Sequence, residues 1–405
     1  MDPSHILIVV CLFVLGFHLL DLLAHRLRIP SVVLLLAAGI AAKPIAASFS
    51  AGIVLPDGVL QGLGAVGLAL IVLEGSMGLK WKRESRKTFS RATLSTFLGI
   101  TFFLFMAAPA FRWIFDLSWK TAILHALPLS VISSAIAIPS AARLSRGSRE
   151  FIAVESSLSD IVGILLFNAV VLPGALGLGT LVSMGWRSMA VFLASVLLIA
   201  GLMRMLRHSI HHVRFVPLLA ILLLFYAIGK LAHLPSLLLV FLFGISLANL
   251  GRLSGGLRET FVRPEFELDA ILLKTLVAES AFLARTFFFF LFGFSMNLSD
   301  LARPLPWALG AGLLAAIFIG RAITLSLAWE GPSRQILSIA PRGLITVLLM
   351  GMIPEHRLVA EIATGPVLVV ILGSTLAQLF GGRESTQSAG TSHPGTSPSD
   401  FTKNS

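Results

Sequence analysis

One acid stands alone in the middle of a long apolar run. In FIAVESSLSDIVGILLFNAVV, which starts at Phe151, the acid is Asp160. It lies about 14 Å along a helix that rises 1.5 Å per residue, which is mid-depth in a hydrocarbon core of about 30 Å. Ser156 sits one turn earlier on the same face, and Glu155 and Ser159 form a second i,i+4 pair on a neighbouring face. A carboxylate with hydroxyl oxygens beside it suits a proton or a hard monovalent metal cation such as Na⁺ or K⁺, because hard ions take oxygen ligands. An ionised carboxylate at the bilayer centre costs at least ~2.5–3.5 kcal/mol. Asp160, which has no obvious fixed partner in the sequence, therefore reads as a functional residue.

Other ionisable residues interrupt apolar runs. Glu74 lies late in IVLEGSMGL, Arg285 in the run before FFFFLFGF, and Arg321 in FIGRAITL. A lone buried Arg needs a partner, and Glu155 is the expected partner of Arg321, as a pair that holds helices together. Asp21 lies close enough to the end of its run to be interfacial. His208, His211 and His212 cluster in a basic loop, which reads as solvated. No HExxH, Walker A or GxSxG with triad partners is present, so neither hydrolytic chemistry nor a cofactor is indicated. The single cysteine, Cys11, excludes an intrachain disulfide framework.

The elements that must position these residues are membrane spans. Of 405 residues, 56% are hydrophobic and 13% charged, about half the charge of a soluble domain, and mean hydropathy is +0.91. Apolar runs predict an all-α membrane protein with thirteen spans: 5–24, 30–49, 58–79, 89–111, 120–142, 151–173, 187–206, 214–232, 235–251, 270–298, 304–327, 335–353 and 359–380. All six Trp fall at or near these ends, where interfacial anchors belong. The net charge of +11 does not point to nucleic acid, because Lys and Arg occur as short clusters between spans. Most lie in odd-numbered loops, which predicts an external N-terminus and a cytoplasmic C-terminus. The first span reads as retained rather than cleaved. Residues 381–405 are polar and rich in Ser, Thr, Gly and Pro, and read as a disordered cytoplasmic tail.

The spans contain an internal repeat. IPSVVLLLAAGI from Ile29 matches LPSLLLVFLFGI from Leu234, and Ser76-Met77-Gly78-Leu79 matches Ser295-Met296-Asn297-Leu298. Both matches are seven spans apart, so repeats 1–173 and 214–380, joined by connector 187–206, would have opposite orientations, an arrangement common in secondary transporters. The same symmetry pairs span 5 with span 12. Each carries helix-breaking residues: Ser133, Ser134 and Pro139 in ISSAIAIPSAA, and Pro341, Arg342 and Gly343 in IAPRGLI. Two facing breaks would aim partial helix charges at an ion.

These residues resemble the monovalent cation/proton antiporter superfamily, in its sodium/proton exchanger branch. ESSLSDIVGILLFN looks like that branch's sixth span, SSAIAI its broken fifth, LEGSMGL its third and APRGLITVLLMGMIP its Gly-x-Arg-Gly span, over essentially all of residues 1–380. The resemblance implies that Asp160 binds cation or proton and that Ser156, Glu74, Ser133, Ser134 and Ser159 belong to the site. It also implies that Glu155 pairs with Arg321 and that the protein works as a homodimer. Two departures are visible. Ser159 stands where the family usually has Asn, and Ser134 where it usually has Asp, which removes a carboxylate from the site.

The expected function is exchange of Na⁺ or K⁺ for protons by alternating access, in a multi-pass protein of the cell membrane, with a bacterial inner membrane as the setting. A cation channel or membrane sensor using the same helices is one rival. A Na⁺-coupled symporter that holds an organic anion on Arg342 and the helix ends is another.

Overall fold

The structure is a computed structural model that describes residues 3–27, 29–48, 59–78, 86–171, 185–186, 189–190, 193–201, 215–231, 236–249, 266–296, 301–329 and 333–381. The tail after Gly381, the basic loops 79–85, 202–214 and 250–265 with the three-histidine cluster, Asn297 and Leu298 of the repeat motif, and residues 187–188, 191–192 and 202–206 of the connector lie outside the described residues.

All regular structure among the described residues is helical. The helices are α1 (Pro3–Leu27), α2 (Ser31–Ser48), α3 (Val59–Met77), α4 (Arg86–Phe115), α5 (Trp119–Ser130), α6 (Ser134–Ser140), α7 (Arg146–Val171), α8 (Phe215–Leu231), α9 (Ser236–Asn249), α10 (Phe266–Ser295), α11 (Pro304–Ala328), α12 (Ser333–Leu337), α13 (Leu344–Gly351), α14 (Ala360–Ala363) and α15 (Gly365–Gly381). They fall on twelve of the thirteen expected spans, and described residues 193–201 are helical within the remaining one, 187–206. Six stretches of the described chain are long and apolar enough to cross a membrane, including 119–140, which α5 and α6 share. The outer faces are apolar as well: Leu7, Leu12, Leu15 and Leu19 of α1 are each 60% exposed or more. A helix apolar on its outer face has lipid as its solvent.

The helices pack in two groups. In the first, α2 and α3 lie on α10, α9 lies on α3, and α1 and α8 flank them. In the second, α4 lies on α5, α7 and α11, and α11 lies on α15. The groups meet mainly along α3 and α13.

The first group is tied by two crossings built alike. A Cβ on Gly39 of α2 would run into the Phe290 carbonyl and Phe294 amide of α10, and one on Gly244 of α9 into the Ser76 side chain of α3. Gly39 and Gly244 are the matching glycines of the two Pro-Ser…Gly-Ile segments, and α3 and α10 carry the matching Ser-Met motifs. Only glycine lets backbones approach this closely.

Candidate functional site

The helical run of span 5 stops at Ser130 and resumes at Ser134, with Val131 and Ser133 in extended backbone. Pro139, expected at the break, instead lies inside α6 near its end. The interruption at 131–133 has a tertiary cause. The Ile132 N–H donates to Ser159 Oγ at 2.9 Å and the Ser133 N–H to the Pro341 carbonyl at 2.9 Å, so neighbouring helices replace the missing helical acceptors. Pro139 acts one turn away: lacking an N–H, it leaves the Ala135 carbonyl without a helical donor. Arg285 Nη1 of α10 donates to that carbonyl at 3.0 Å.

Span 12 is interrupted between Leu337 and Leu344. The two interrupted segments cross in direct contact. The Ser133–Pro341 hydrogen bond joins them, and a Cβ on Gly343 would strike Ile136 and press on Ser133 Oγ.

Interrupting helices creates free ends, whose unpaired carbonyls and amides carry partial charge. Charged side chains meet three of them. At the C-terminus of α5, Arg342 Nε donates to the Leu129 carbonyl at 2.7 Å and Nη2 to the Ser130 carbonyl at 3.3 Å. Arg342 Nη1 donates to Ala340 O at 2.8 Å, and the guanidinium lies 5.9 Å from the Phe103 ring centroid. At the C-terminus of α12, Arg321 Nη2 donates to the Ile336 and Ile339 carbonyls, each at 3.3 Å. At the N-terminus of α6, the Ser134 N–H donates to Asp160 Oδ2 at 3.2 Å. Cations thus sit at carbonyl ends and the carboxylate at an amide end, each the favourable sense.

Asp160 is 2% exposed. Its Oδ1 has no hydrogen-bond partner, nor has Ser133 Oγ, on the residue before the amide that binds Oδ2. Ser156, fully buried, donates through Oγ to the Ile152 carbonyl at 2.7 Å, and Ser159 is engaged with Ile132. Ser157 Oγ, a residue that sequence reasoning did not single out, is buried without a partner, with Gly75 of α3 opposite. Its signal was there: it is i−3 from Asp160 and shares its face. Glu74 is ion-paired with Arg285, N···O 3.5 Å, both partly exposed. Glu155 and Arg321, both buried, form a close ion pair, and Ser95 Oγ donates to the same carboxylate at 2.5 Å. A cavity of about 30 Å³ beside this pair, lined by Ser130, Ser159, Arg321 and Arg342 among others, has room for about one water.

One buried carboxylate oxygen without a hydrogen-bond partner can take a proton or a hard cation. Among the described residues no cluster of three or more His, Cys, Asp or Glu offers a multi-carboxylate or imidazole cage.

The model of the family described as sodium/hydrogen exchanger, transmembrane, matches residues 8–381. The chain belongs to the sodium/hydrogen exchanger family. This exchanger is accordingly a multi-pass membrane transporter and not an enzyme. Solved structures agree in fold. The sodium proton antiporter MjNhaP1 from Methanocaldococcus jannaschii at pH 8 superposes with a TM-score of 0.70 at 19% identity, covering 94% of this chain and 98% of that one. An electron-microscopy structure of the same antiporter gives 0.68 at 17% identity, covering 94% and 95%. No curated protein sequence matches the chain.

Proposed function

We propose that this family member exchanges one monovalent cation, Na⁺ or K⁺, for one proton at Asp160, which holds either but not both. The observation that carries the reading is the free Oδ1 of Asp160, a buried side chain held at the start of α6 where two interrupted helices meet. Ser156 and Ser134 complete the oxygen surroundings, while Ser159 holds the backbone of the break. The buried charged residues among those described are Glu155, Asp160, Arg321 and Arg342, two negative and two positive. A bound cation and a bound proton each change that balance by one unit, so their exchange moves no net charge.

Alternating access follows from the two groups of helices. The group holding Asp160 (α4–α7, α11–α15) would move against α1–α3 and α8–α10, as inverted repeats allow. The equivalent glycine crossings support that repeat, and the basic loops in the sequence support an external N-terminus in a cell membrane. The homodimer rests on family resemblance. Arg342 spends donors on three backbone carbonyls, which leaves it poorly placed to hold an organic anion.

The test is fluorescence dequenching in proteoliposomes with Na⁺, K⁺ and Li⁺ across a pH series. Wild type moves protons when the transported cation is added. Asp160→Asn moves none and melts within a few degrees of wild type. Normal exchange by that variant would sink the proposal.

A further inference from the structure

The second interrupted segment is held by a serine that the function above does not use. The Arg342 N–H donates to Ser374 Oγ at 2.9 Å. Ser374, on α15, has no exposed surface, and its Oγ also donates to the Ile371 carbonyl at 3.3 Å.

The first break is held in the same way. There the Ile132 N–H donates to Ser159 Oγ of α7 at 2.9 Å. Ile132 lies two residues before the start of α6 at Ser134, and Arg342 two residues before the start of α13 at Leu344. In each case the acceptor is a serine on the next long helix, span 6 for span 5 and span 13 for span 12. Ser159 is followed by Asp160, and Ser374 by Thr375, in the matching strings Ser-Asp-Ile and Ser-Thr-Leu. The side chain after each serine has a buried oxygen without a partner: Asp160 Oδ1 and Thr375 Oγ1.

We infer that Ser374 is a positioning residue for cation binding, the counterpart of Ser159 in the second repeat. Its hydroxyl pins the backbone of residue 342, and that residue fixes two things at once. Its guanidinium holds the carbonyl end of α5, the preceding Pro341 carbonyl accepts from the Ser133 N–H, and Gly343 leaves room for the Ser133 side chain. Ser133 in turn precedes the amide that binds Asp160. Without the Ser374 oxygen the Arg342 N–H is buried and unpaired, so the segment leaves its bound geometry for part of the time. A site that is competent for only a fraction of the time binds more weakly by that fraction. Affinity for the cation therefore falls, while the rate at saturation holds. Thr375, standing where the first repeat has Asp160, gives the second repeat a neutral oxygen and no second carrier.

This inference rests on the exchange reading, and two measurements keep them apart. The first is hydrogen–deuterium exchange of a peptide covering residues 338–344, which reads the staple without transport. The second is the half-saturating Na⁺ concentration in proteoliposomes. Removing one buried hydrogen bond predicts that Ser374→Ala speeds deuteration of the segment and raises half-saturating Na⁺, each roughly five- to tenfold, with maximal rate within about twofold. Ser374→Thr, which keeps the hydroxyl, stays near wild type in both. Ser374→Cys fills the same space with a poor acceptor and falls near alanine; it carries the test if the alanine variant does not fold. The inference is overturned if alanine (or cysteine in its place) matches serine, if threonine is as weak as alanine, or if maximal rate falls while half-saturation holds. Wild-type protein that moves no protons with any cation would defeat the exchange reading, and the deuteration result would still decide the staple.

Discussion

Arg285 of α10 donates to the Ala135 carbonyl of α6 at 3.0 Å, and so joins the two groups of helices through a carbonyl that Pro139 leaves free. Glu74 of α3 stands behind the guanidinium at 3.5 Å. The bond to the carbonyl is charge-assisted and worth about 1.5–3 kcal/mol, whereas the partly exposed ion pair is worth about 0–1 kcal/mol.

Arg285→Gln is therefore expected to lower thermal stability clearly more than Glu74→Gln does. Melting curves in detergent check the order. Because Glu74 faces Arg285, Glu74→Gln is also expected to keep half-saturating Na⁺ close to wild type. A Glu74→Gln variant that loses more stability than Arg285→Gln, or that loses cation affinity, would return Glu74 to the ion site.

Glu155 and Arg321 pair in the core of the second group, and Arg321 also holds the carbonyl end of α12. Breaking a buried pair from one side leaves an unpaired charge and costs about 3–5 kcal/mol. Arg321→Met should lose that much, whereas Arg321→Met with Glu155→Leu should recover part of it. Only part returns, because the α12 carbonyls stay unpaired in both. Additive losses in a double-mutant cycle would mean that the pair is not coupled.

If Asp160 is the one exchangeable carboxylate, as proposed, cation and proton compete one for one. Binding of the cation requires the ionised form, so apparent affinity falls as protons are added. On the acid limb, half-saturating Na⁺ should rise about tenfold for each unit fall in pH, because binding releases a single proton. The sign is fixed: lower pH weakens cation binding. A slope of two would require a second carboxylate, and Ser134 occupies the place where the family usually supplies one.

Much of this was legible in the sequence because charge inside an apolar run is conspicuous. Asp160 and the Glu155–Arg321 pair stand out for that reason, and so do the apolar spans. The position of the first break was not legible. Pro139 is the obvious local signal, yet the helix is lost at Val131–Ser133, where contacts from Ser159 and Pro341 decide the backbone. Such contacts join residues up to 208 positions apart, counting from Ser133 to Pro341, and leave no local pattern. Ser374 was silent for a related reason. A hydroxyl in a membrane helix commonly bonds to its own preceding turn, as Ser156 does here, and nothing in ILGSTLAQLF shows that Ser374 also reaches another segment. Arg342 was read as a residue of the break, but its grip on the carbonyl end of α5 depends on how the two breaks cross.

The glycine crossings at Gly39 and Gly244 have a mechanical consequence. Helices that approach this closely resist sliding past one another, so on the proposed alternating-access reading α2, α3, α9 and α10 would serve as a stator. Strain from a binding event at Asp160 cannot be absorbed there. On the proposed reading it would be released between the two groups of helices, where Arg285 of α10 reaches the Ala135 carbonyl of α6 as a reversible polar tether.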